Sequence, residues 1–123
     1  MNDQTIEQEI QAKGKTAPRV TPADIEANIA AETYFTAADG VRGADFALNF
    51  DVATVAPINA EQALRLLTFC VLVLNNGFTV TGESACASSE NFDAEIGRKI
   101  ARQNAVQKIW PLMGYELRSR LSA

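Results

Sequence analysis

The residues best suited to bind a ligand lie in the stretch NNGFTVTGESAC, residues 75–86. Thr79 and Thr81 alternate with Val80, so they would share one face of a strand. Threonine hydroxyls can donate hydrogen bonds to phosphate oxygens, and a glycine such as Gly82 lets a ligand approach the backbone closely. The stretch therefore indicates either a surface for a small anion or an ordinary strand, since threonine is also a common strand residue.

The C-terminal segment carries the positive charge that an anion site would need. Residues 98–123 contain six basic residues and one acidic residue, whereas the whole chain of 123 residues has a net charge of −4. This balance disfavours binding of a DNA or RNA polymer but allows binding of a compact anion. The simpler interpretation is a solvated helix face, and Arg98, Lys99 and Arg102 are expected to be solvated.

The composition argues against catalysis and against metal binding. The chain has no histidine, and its two cysteines, Cys70 and Cys86, are too few for a structural zinc site. The N-terminus does not resemble a signal peptide, so both thiols are expected to be reduced. No apolar stretch is long enough for a transmembrane helix. We therefore expect a cytoplasmic protein that is not an enzyme, has no cofactor and does not bind a membrane.

Helices are predicted at the N-terminus. Residues 1–20 are expected to be a flexible extension with a short helix that ends at Gly14. The sequence TPAD, residues 21–24, has an N-cap, a proline and a capping-box acid in order, and it predicts a helix from Pro22 to about Tyr34. Residues 35–58 are expected to be a connecting segment, with a weak strand pattern at residues 45–55, and a helical turn is expected at residues 59–66.

A β-hairpin is the clearest predicted element. Asn76 and Gly77 favour a two-residue type I′ turn. The implied register pairs Leu74 with Thr79, Leu72 with Thr81, and Cys70 with Glu83. The face predicted to pack against helices contains Phe69, Val71, Val73, Phe78 and Val80. The opposite face, with two leucines beside threonines, is expected to be covered by another protein surface.

A long helix follows at residues 89–110, with Ser89 or Asn91 as its N-cap. Pro111 is expected to break it, and a short last helix after Gly114 would carry Arg120. These elements predict an α+β fold in which residues 21–123 form a single domain. Because the chain is short, we expect it to complete its core as a compact homo-oligomer.

The runs NGFTVTGESAC and NFDAEIGRKIARQNAVQKIWPLMGY resemble a family of small tailed-phage proteins, the second type of anti-CBASS protein. The resemblance implies a hexamer that binds cyclic dinucleotides and cyclic trinucleotides in two kinds of pocket between protomers. Members of this family sequester the second messengers of a bacterial defence system without cleaving them, and so block activation of CBASS effectors. The resemblance also implies a location in the cytoplasm of the infected host. Relative to short members of the family, residues 1–20 resemble an extension and residues from about 35 to 64 an insertion.

The same resemblance assigns roles to five positions. Tyr34 matches an aromatic residue that stacks on a base of a cyclic dinucleotide, and Thr79 matches a position in the same pocket. Gly77 and Thr81 match positions that line the pocket for cyclic trinucleotides, and Arg120 matches an arginine that contacts the trinucleotide phosphates. One departure concerns Thr79, where other members can carry a lysine, because a threonine lacks the charge for a charge-assisted contact.

Other interpretations of the same residues remain open. Tyr34 is also typical of a half-buried core residue, Arg120 of a solvated charge, and Trp110 of a core anchor. The main alternative function is a phage protein that binds and inhibits or adapts a host protein through the partly apolar hairpin face.

Overall fold

The structure is a computed structural model that describes residues 2–15, 17–48 and 60–123. Its helices are α1 (Asp3–Ala12), α2 (Pro22–Ala27), α3 (Ala37–Leu48), α4 (Ala60–Arg65) and α5 (Ala94–Leu121). Its strands are β1 (Ile29–Thr36), β2 (Leu67–Leu74) and β3 (Thr79–Ala85), and a 3-10 turn covers Ser89–Asn91. The predicted α+β class, with an N-terminal helix, a hairpin and a long C-terminal helix, is confirmed.

The sheet has three antiparallel strands in the order β1-β2-β3, so β2 is central. The long helix α5 packs across one face of this sheet. The core between them contains Ile25 from α2, Cys70, Leu72, Leu74 and Val80 from the sheet, and Ala101, Ala105, Val106 and Ile109 from α5. The partly buried Trp110 packs against this core, as expected for a core anchor.

The hairpin exists, but its predicted register is wrong by one residue. The connection is a three-residue loop, because the backbone N–H of Leu74 donates to the carbonyl of Phe78 at 2.8 Å. Gly77 has φ 89° in this loop and donates its N–H to the carbonyl of Leu74. Thr79 therefore pairs with Val73, Thr81 with Val71, and Glu83 with Phe69.

This shift exchanges the two predicted faces of β2, since neighbouring residues of a strand point to opposite sides. The faces of β3 are as predicted, with Val80 in the core and the threonines on the other side. Cys70, Leu72 and Leu74, which were assigned to the second face, are buried against α5. Phe69, Val71 and Val73, which were assigned to the core, lie on the other face and remain partly exposed.

The predicted helix from Pro22 to Tyr34 is correct only in its first half. The capping box between Thr21 and Asp24 is present, but α2 ends at Ala27 and the chain continues as β1. The side chain of Asn75 donates to the carbonyl of Ala27 at 2.9 Å, which ties the end of α2 to the hairpin loop. Pairing with β2 outweighs the helix preference of the alanines that follow, so Tyr34 lies in a strand.

The long helix differs from the prediction at both ends. Asp93, not Ser89 or Asn91, is its N-cap and accepts hydrogen bonds from the N–H groups of residues 95 and 96. The helix continues through Pro111 and past Gly114 to Leu121, so the predicted break and separate last helix are wrong. A proline removes one backbone hydrogen bond, and the turns on both sides maintain the helix.

The N-terminal helix is confirmed as α1, and Gly14 follows it with φ 68°. The Glu7 carboxylate of α1 pairs with Arg19, and the Trp110 indole of α5 donates to Asp3 at 3.0 Å.

Residues 45–48 of the weak strand prediction are helical and belong to α3, while residues 49–55 and the predicted cap at residue 59 lie outside the described residues. The helical turn predicted at residues 59–66 is confirmed as α4. The domain limits, the insertion and the oligomer stay predictions.

Candidate functional site

Two threonine hydroxyls are presented on the face of the sheet that is turned away from α5, which we call the open sheet face. Thr79 and Thr81 are exposed on β3, and their side-chain hydroxyls have no hydrogen-bond partner among the described residues. They lie beside Val73 and Val71 of β2, which are partly exposed. Glu83 continues the same row. Because strands advance about 3.3 Å per residue, the two hydroxyl-bearing residues are roughly 7 Å apart, and both can reach one polar ligand.

Gly77 lies at the end of this row, in the exposed hairpin loop. A Cβ atom added to it would meet no atom within 4 Å, so the loop backbone is open to solvent. The next residue, Phe78, is 56% exposed. The loop therefore offers an accessible backbone together with an exposed aromatic side chain.

Gly82 has a different role from the one that its sequence suggested. A Cβ atom at this position would lie 2.1 Å from the carbonyl oxygen of Ala101 and 2.3 Å from the backbone nitrogen of Ala105. The close approach that this glycine permits is therefore the approach of α5, and the space next to it is filled by the helix backbone. Val80 and Gly82 face the core, while Thr79 and Thr81, which alternate with them, face away from it.

Tyr34 lies on the opposite side of the sheet from Thr79, on the face that packs against α5. It pairs with Cys70 in the sheet and is half-buried. Its hydroxyl donates to the Glu32 carboxylate at 2.6 Å, and burial followed by this hydrogen bond raises the pKa of the phenol well above its ordinary value. Tyr34 and Thr79 are therefore not brought together within one chain, and one pocket that contains both would need residues from two chains.

Arg102 holds the acidic partner of Tyr34 in place. Its guanidinium donates to Glu32 at 2.9 Å and, through two nitrogens, to Glu26 of α2 at 2.7 and 3.1 Å. The hydrogen bonds from Tyr34 and then Arg102 lower the pKa of Glu32. The expectation that Arg102 is a solvated cation is wrong, since it connects α5 to both α2 and β1.

Arg120 lies in the last turn of α5 and is exposed. Its guanidinium forms an ion pair with Glu116, one turn earlier, at 3.4 Å. An exposed pair of this kind contributes little to stability, about 0.3–0.5 kcal/mol. The Arg120 guanidinium can therefore exchange this partner for a ligand at low cost.

A cleft beside Tyr34 contains Asp39 and Thr68, which the sequence analysis did not name, and Arg98, which it expected to be solvated. It lies between the end of β1, the start of α3 and the start of α5, and has a volume of about 110 Å³. Its polar lining includes Asp39, Thr68 and Arg98. Thr68 could have been noticed in the sequence, because it is the one polar side chain apart from Cys70 in the apolar strand LTFCVLVL.

Within residues 2–15, 17–48 and 60–123, no group of three or more aspartate, glutamate or cysteine residues is placed to hold a metal ion. No helix in the part of the chain that the structure describes has both the length and the apolar character to cross a membrane.

Comparison with known proteins identifies one family. Residues 20–121 match the family model of the phage protein (N4 Gp49/phage Sf6 gene 66) family. No curated protein and no solved structure is significantly similar to the chain. The matched range includes the open sheet face, the Tyr34 cleft and Arg120.

Proposed function

Because this chain belongs to the N4 Gp49/phage Sf6 gene 66 family of phage proteins, we propose that it counteracts a bacterial defence system. In this proposal it binds cyclic oligonucleotide second messengers in the cytoplasm of the infected host and sequesters them without cleavage. Cyclic trinucleotides are the main ligands, and cyclic dinucleotides bind at a second kind of pocket. The depletion of free messenger would keep CBASS effectors inactive.

The observation that carries this proposal is the pair of exposed hydroxyls on β3. The side-chain hydroxyls of Thr79 and Thr81 have no hydrogen-bond partner among the residues that the structure describes, and both residues follow an open glycine loop. Hydroxyls and backbone N–H groups are donors for phosphate oxygens. Glu83, the next residue in the row, is acidic, so a bound phosphate would be placed toward the loop end, near Gly77 and Thr79.

Sequestration without cleavage fits the chemistry that the chain offers. Hydrolysis of a phosphodiester needs an activated water, and general bases and metal ions are the usual means of activating it. The sequence contains no histidine, and its two cysteines lie apart at positions 70 and 86. Incubation with a cyclic trinucleotide, followed by denaturation and chromatography, should return intact cyclic ligand, and recovery of a linear product would contradict this part of the proposal.

The proposal also requires several copies of the chain. The residues that the resemblance assigns to one dinucleotide pocket, Tyr34 and Thr79, lie on opposite faces of the sheet. Unpartnered apolar side chains are available for contacts between copies, since Ile96 is 55% and Ile100 is 43% exposed on α5. Light scattering at micromolar concentration should give the mass of an oligomer, with a hexamer expected, and a monomer mass would contradict the proposal.

Arg120→Ala tests the residue-level assignment for the trinucleotide. A symmetric cyclic trinucleotide would meet one copy of Arg120 from each of three protomers. At about 1.5 kcal/mol for each charge-assisted contact, the loss of three contacts lowers affinity by about three orders of magnitude. Thr81→Val should weaken binding in the same direction, but less, because it removes one hydroxyl and little volume.

Arg118→Ala is the matched control for Arg120→Ala, because Arg118 is also exposed in the last turns of α5. Calorimetry with a cyclic trinucleotide should show nearly parental affinity for this control, and light scattering should show the same mass for all variants. If Arg120→Ala binds the trinucleotide as tightly as the parent does, Arg120 is only a solvated charge.

A second candidate function is inhibition or adaptation of a host protein. It is favoured by the open sheet face, where Phe35 is 36% exposed and stacks on Phe69 with ring centroids 5.5 Å apart. A thermal-shift screen separates the two functions. A ligand that binds the folded state raises the melting temperature in a concentration-dependent way, so the absence of any shift with cyclic oligonucleotides would favour the protein-binding function.

A further inference from the structure

The segment before residue 20, which contains α1, is held together mainly by contacts within itself. Glu7 is the one buried residue of α1, a helix that the structure describes throughout. Its carboxylate accepts hydrogen bonds from Gln11 of the same helix and from Arg19 at the end of the segment. These contacts fold the segment back on itself and do not join it to the domain. We call residues 2–19 the N-terminal strap.

The polar contacts between the N-terminal strap and the rest of the chain meet at one residue. Among the described residues, every hydrogen bond that joins the strap to residues 20–121 ends on the carboxylate of Asp3. The Trp110 indole donates to Oδ2 at 3.0 Å, and the Gln107 amide nitrogen lies 3.3 Å from Oδ2 and 3.5 Å from Oδ1. One carboxylate, at the first position of α1, therefore anchors the strap.

The apolar contact beneath α1 is incomplete. Ile6 is 41% exposed, and a space of about 220 Å³ lies between α1 and the surface formed by Val20, Pro22 and Trp110. About 10–15 Å³ is enough for one water molecule, so this space is wide enough for several. A groove of about 670 Å³ lies between the start of α1 and α5. Segments with few buried apolar contacts open at a lower free energy than the core does.

The domain that follows the N-terminal strap has a complete beginning of its own. Thr21 and Asp24 form the capping box of α2 without any strap residue. The family model matches residues 20–121, so the strap lies outside it. We propose that the N-terminal strap is releasable: it detaches from Trp110 as one unit while residues 20–121 stay folded. Release uncovers the indole and the groove beside α5.

Amide hydrogen exchange of the full-length protein, followed by nuclear magnetic resonance, tests this release. The amides of residues 6–13 are hydrogen-bonded within α1 or at its end. In the parent they should exchange at least about 100-fold faster than those of residues 101–109 in α5, because a strap that opens alone is less protected than the core. Equal protection of the two helices would overturn the proposal, since α1 would then open only when the whole domain unfolds.

Trp110→Phe tests the anchor without any change in the sequence of α1. It removes the indole N–H that Asp3 accepts, and a hydrogen bond to a charged group is worth about tenfold or more in an equilibrium constant. Exchange should therefore accelerate by about tenfold, and by a similar factor at every amide of residues 6–13. Acceleration limited to the first turn would indicate fraying of the helix end and would contradict release as a unit.

Asp3→Asn weakens the same contact from the strap, which lies outside the domain core, and Glu9→Gln is its control. Glu9 is exposed and pairs with Lys13 within α1, so its replacement also removes a carboxylate from the helix. Asp3→Asn should accelerate exchange throughout α1 and increase the quenching by acrylamide of Trp110, the single tryptophan of the chain. Glu9→Gln should stay within about twofold of the parent in exchange.

The variants decide the proposal together. Faster exchange of α1 in Asp3→Asn, with parental protection of residues 101–109, supports a strap that is released from a folded domain. Parental exchange of α1 in both Asp3→Asn and Trp110→Phe would show that Asp3 is not the anchor, and would overturn the proposal. No cyclic oligonucleotide takes part in these measurements, so the proposed function stands or falls separately.

Discussion

Replacement of Gly82 by alanine should destabilise the protein strongly, although alanine adds a single methyl group. The added carbon would lie 2.1 Å from the Ala101 oxygen and 2.3 Å from the Ala105 nitrogen, whereas ordinary contacts of a Cβ atom are 3.4–4 Å. Both atoms belong to the backbone of α5, so no side-chain rotation relieves the overlap. The helix would have to move away from β3 over the whole contact.

The magnitude follows from two opposing effects. Overpacking of a core costs about 1–3 kcal/mol, and the upper end applies here because both contacting atoms are in a helix backbone. Replacement of glycine by alanine in a strand returns about 0.5–1 kcal/mol through lower chain entropy in the unfolded state. The expected loss is therefore about 2 kcal/mol of the roughly 5–15 kcal/mol that a domain has.

Urea denaturation followed by circular dichroism measures this loss as a lower midpoint with an unchanged slope. Gly114→Ala is the control, because Gly114 lies within α5 and an added Cβ atom would meet no atom within 4 Å. That variant should be stabilised by about 0.5–1 kcal/mol. A Gly82→Ala midpoint equal to the parent's would refute the close packing of α5 on β3.

Three further predictions concern charges and backbone. The hydrogen bonds from Arg19 and then Gln11 lower the pKa of Glu7 from 4.5 to about 2, so the stability that it contributes should be complete above pH 4.5 and should disappear as the pH falls toward 2. The difference in melting temperature between the parent and Glu7→Gln should therefore shrink between pH 5 and pH 2, and a constant difference would show that the pair is not formed. Glu32→Gln should lower the pKa of Tyr34, measured by ultraviolet titration of the phenol, because it removes the charged acceptor of its hydroxyl. Pro111→Ala should increase the free energy of unfolding by up to about 3 kcal/mol, which would appear as a higher urea midpoint. A lower midpoint would indicate that the proline is favourable in α5.

The sequence was sufficient to predict the fold class and the place of the hairpin, but not its register. The pair Asn76-Gly77 marks the turn in both two-residue and three-residue loops, and the length of the loop decides which face is buried. Both faces of β2 are apolar, with Leu72 on one and Val71 on the other. Hydrophobic pattern could therefore not choose between them. The missing information was the contact with α5, which is distant in sequence.

The strand β1 was missed for a similar reason. Residues after Asn28 include alanines and a glutamate, which favour a helix by themselves, and only pairing with β2 makes them extended. That error placed Tyr34 at the end of a helix and hid the cleft that it lines with Thr68. Thr79 and Thr81 were predicted correctly to share one face of β3. Their predicted partners on β2, Leu74 and Leu72, were wrong, because the structure pairs them with Val73 and Val71.

Along the seven residues of β3, positions that must pack against α5 alternate with positions that are exposed. Val80 and Gly82 are buried against the core and α5, whereas Thr79, Thr81 and Glu83 are exposed on the open sheet face. Substitution at the exposed positions does not change the packing against α5. Substitution at Gly82 changes the exposed surface only if it unfolds the strand. A phage lineage under pressure to recognise different molecules could therefore change alternate residues of this strand and keep its fold throughout.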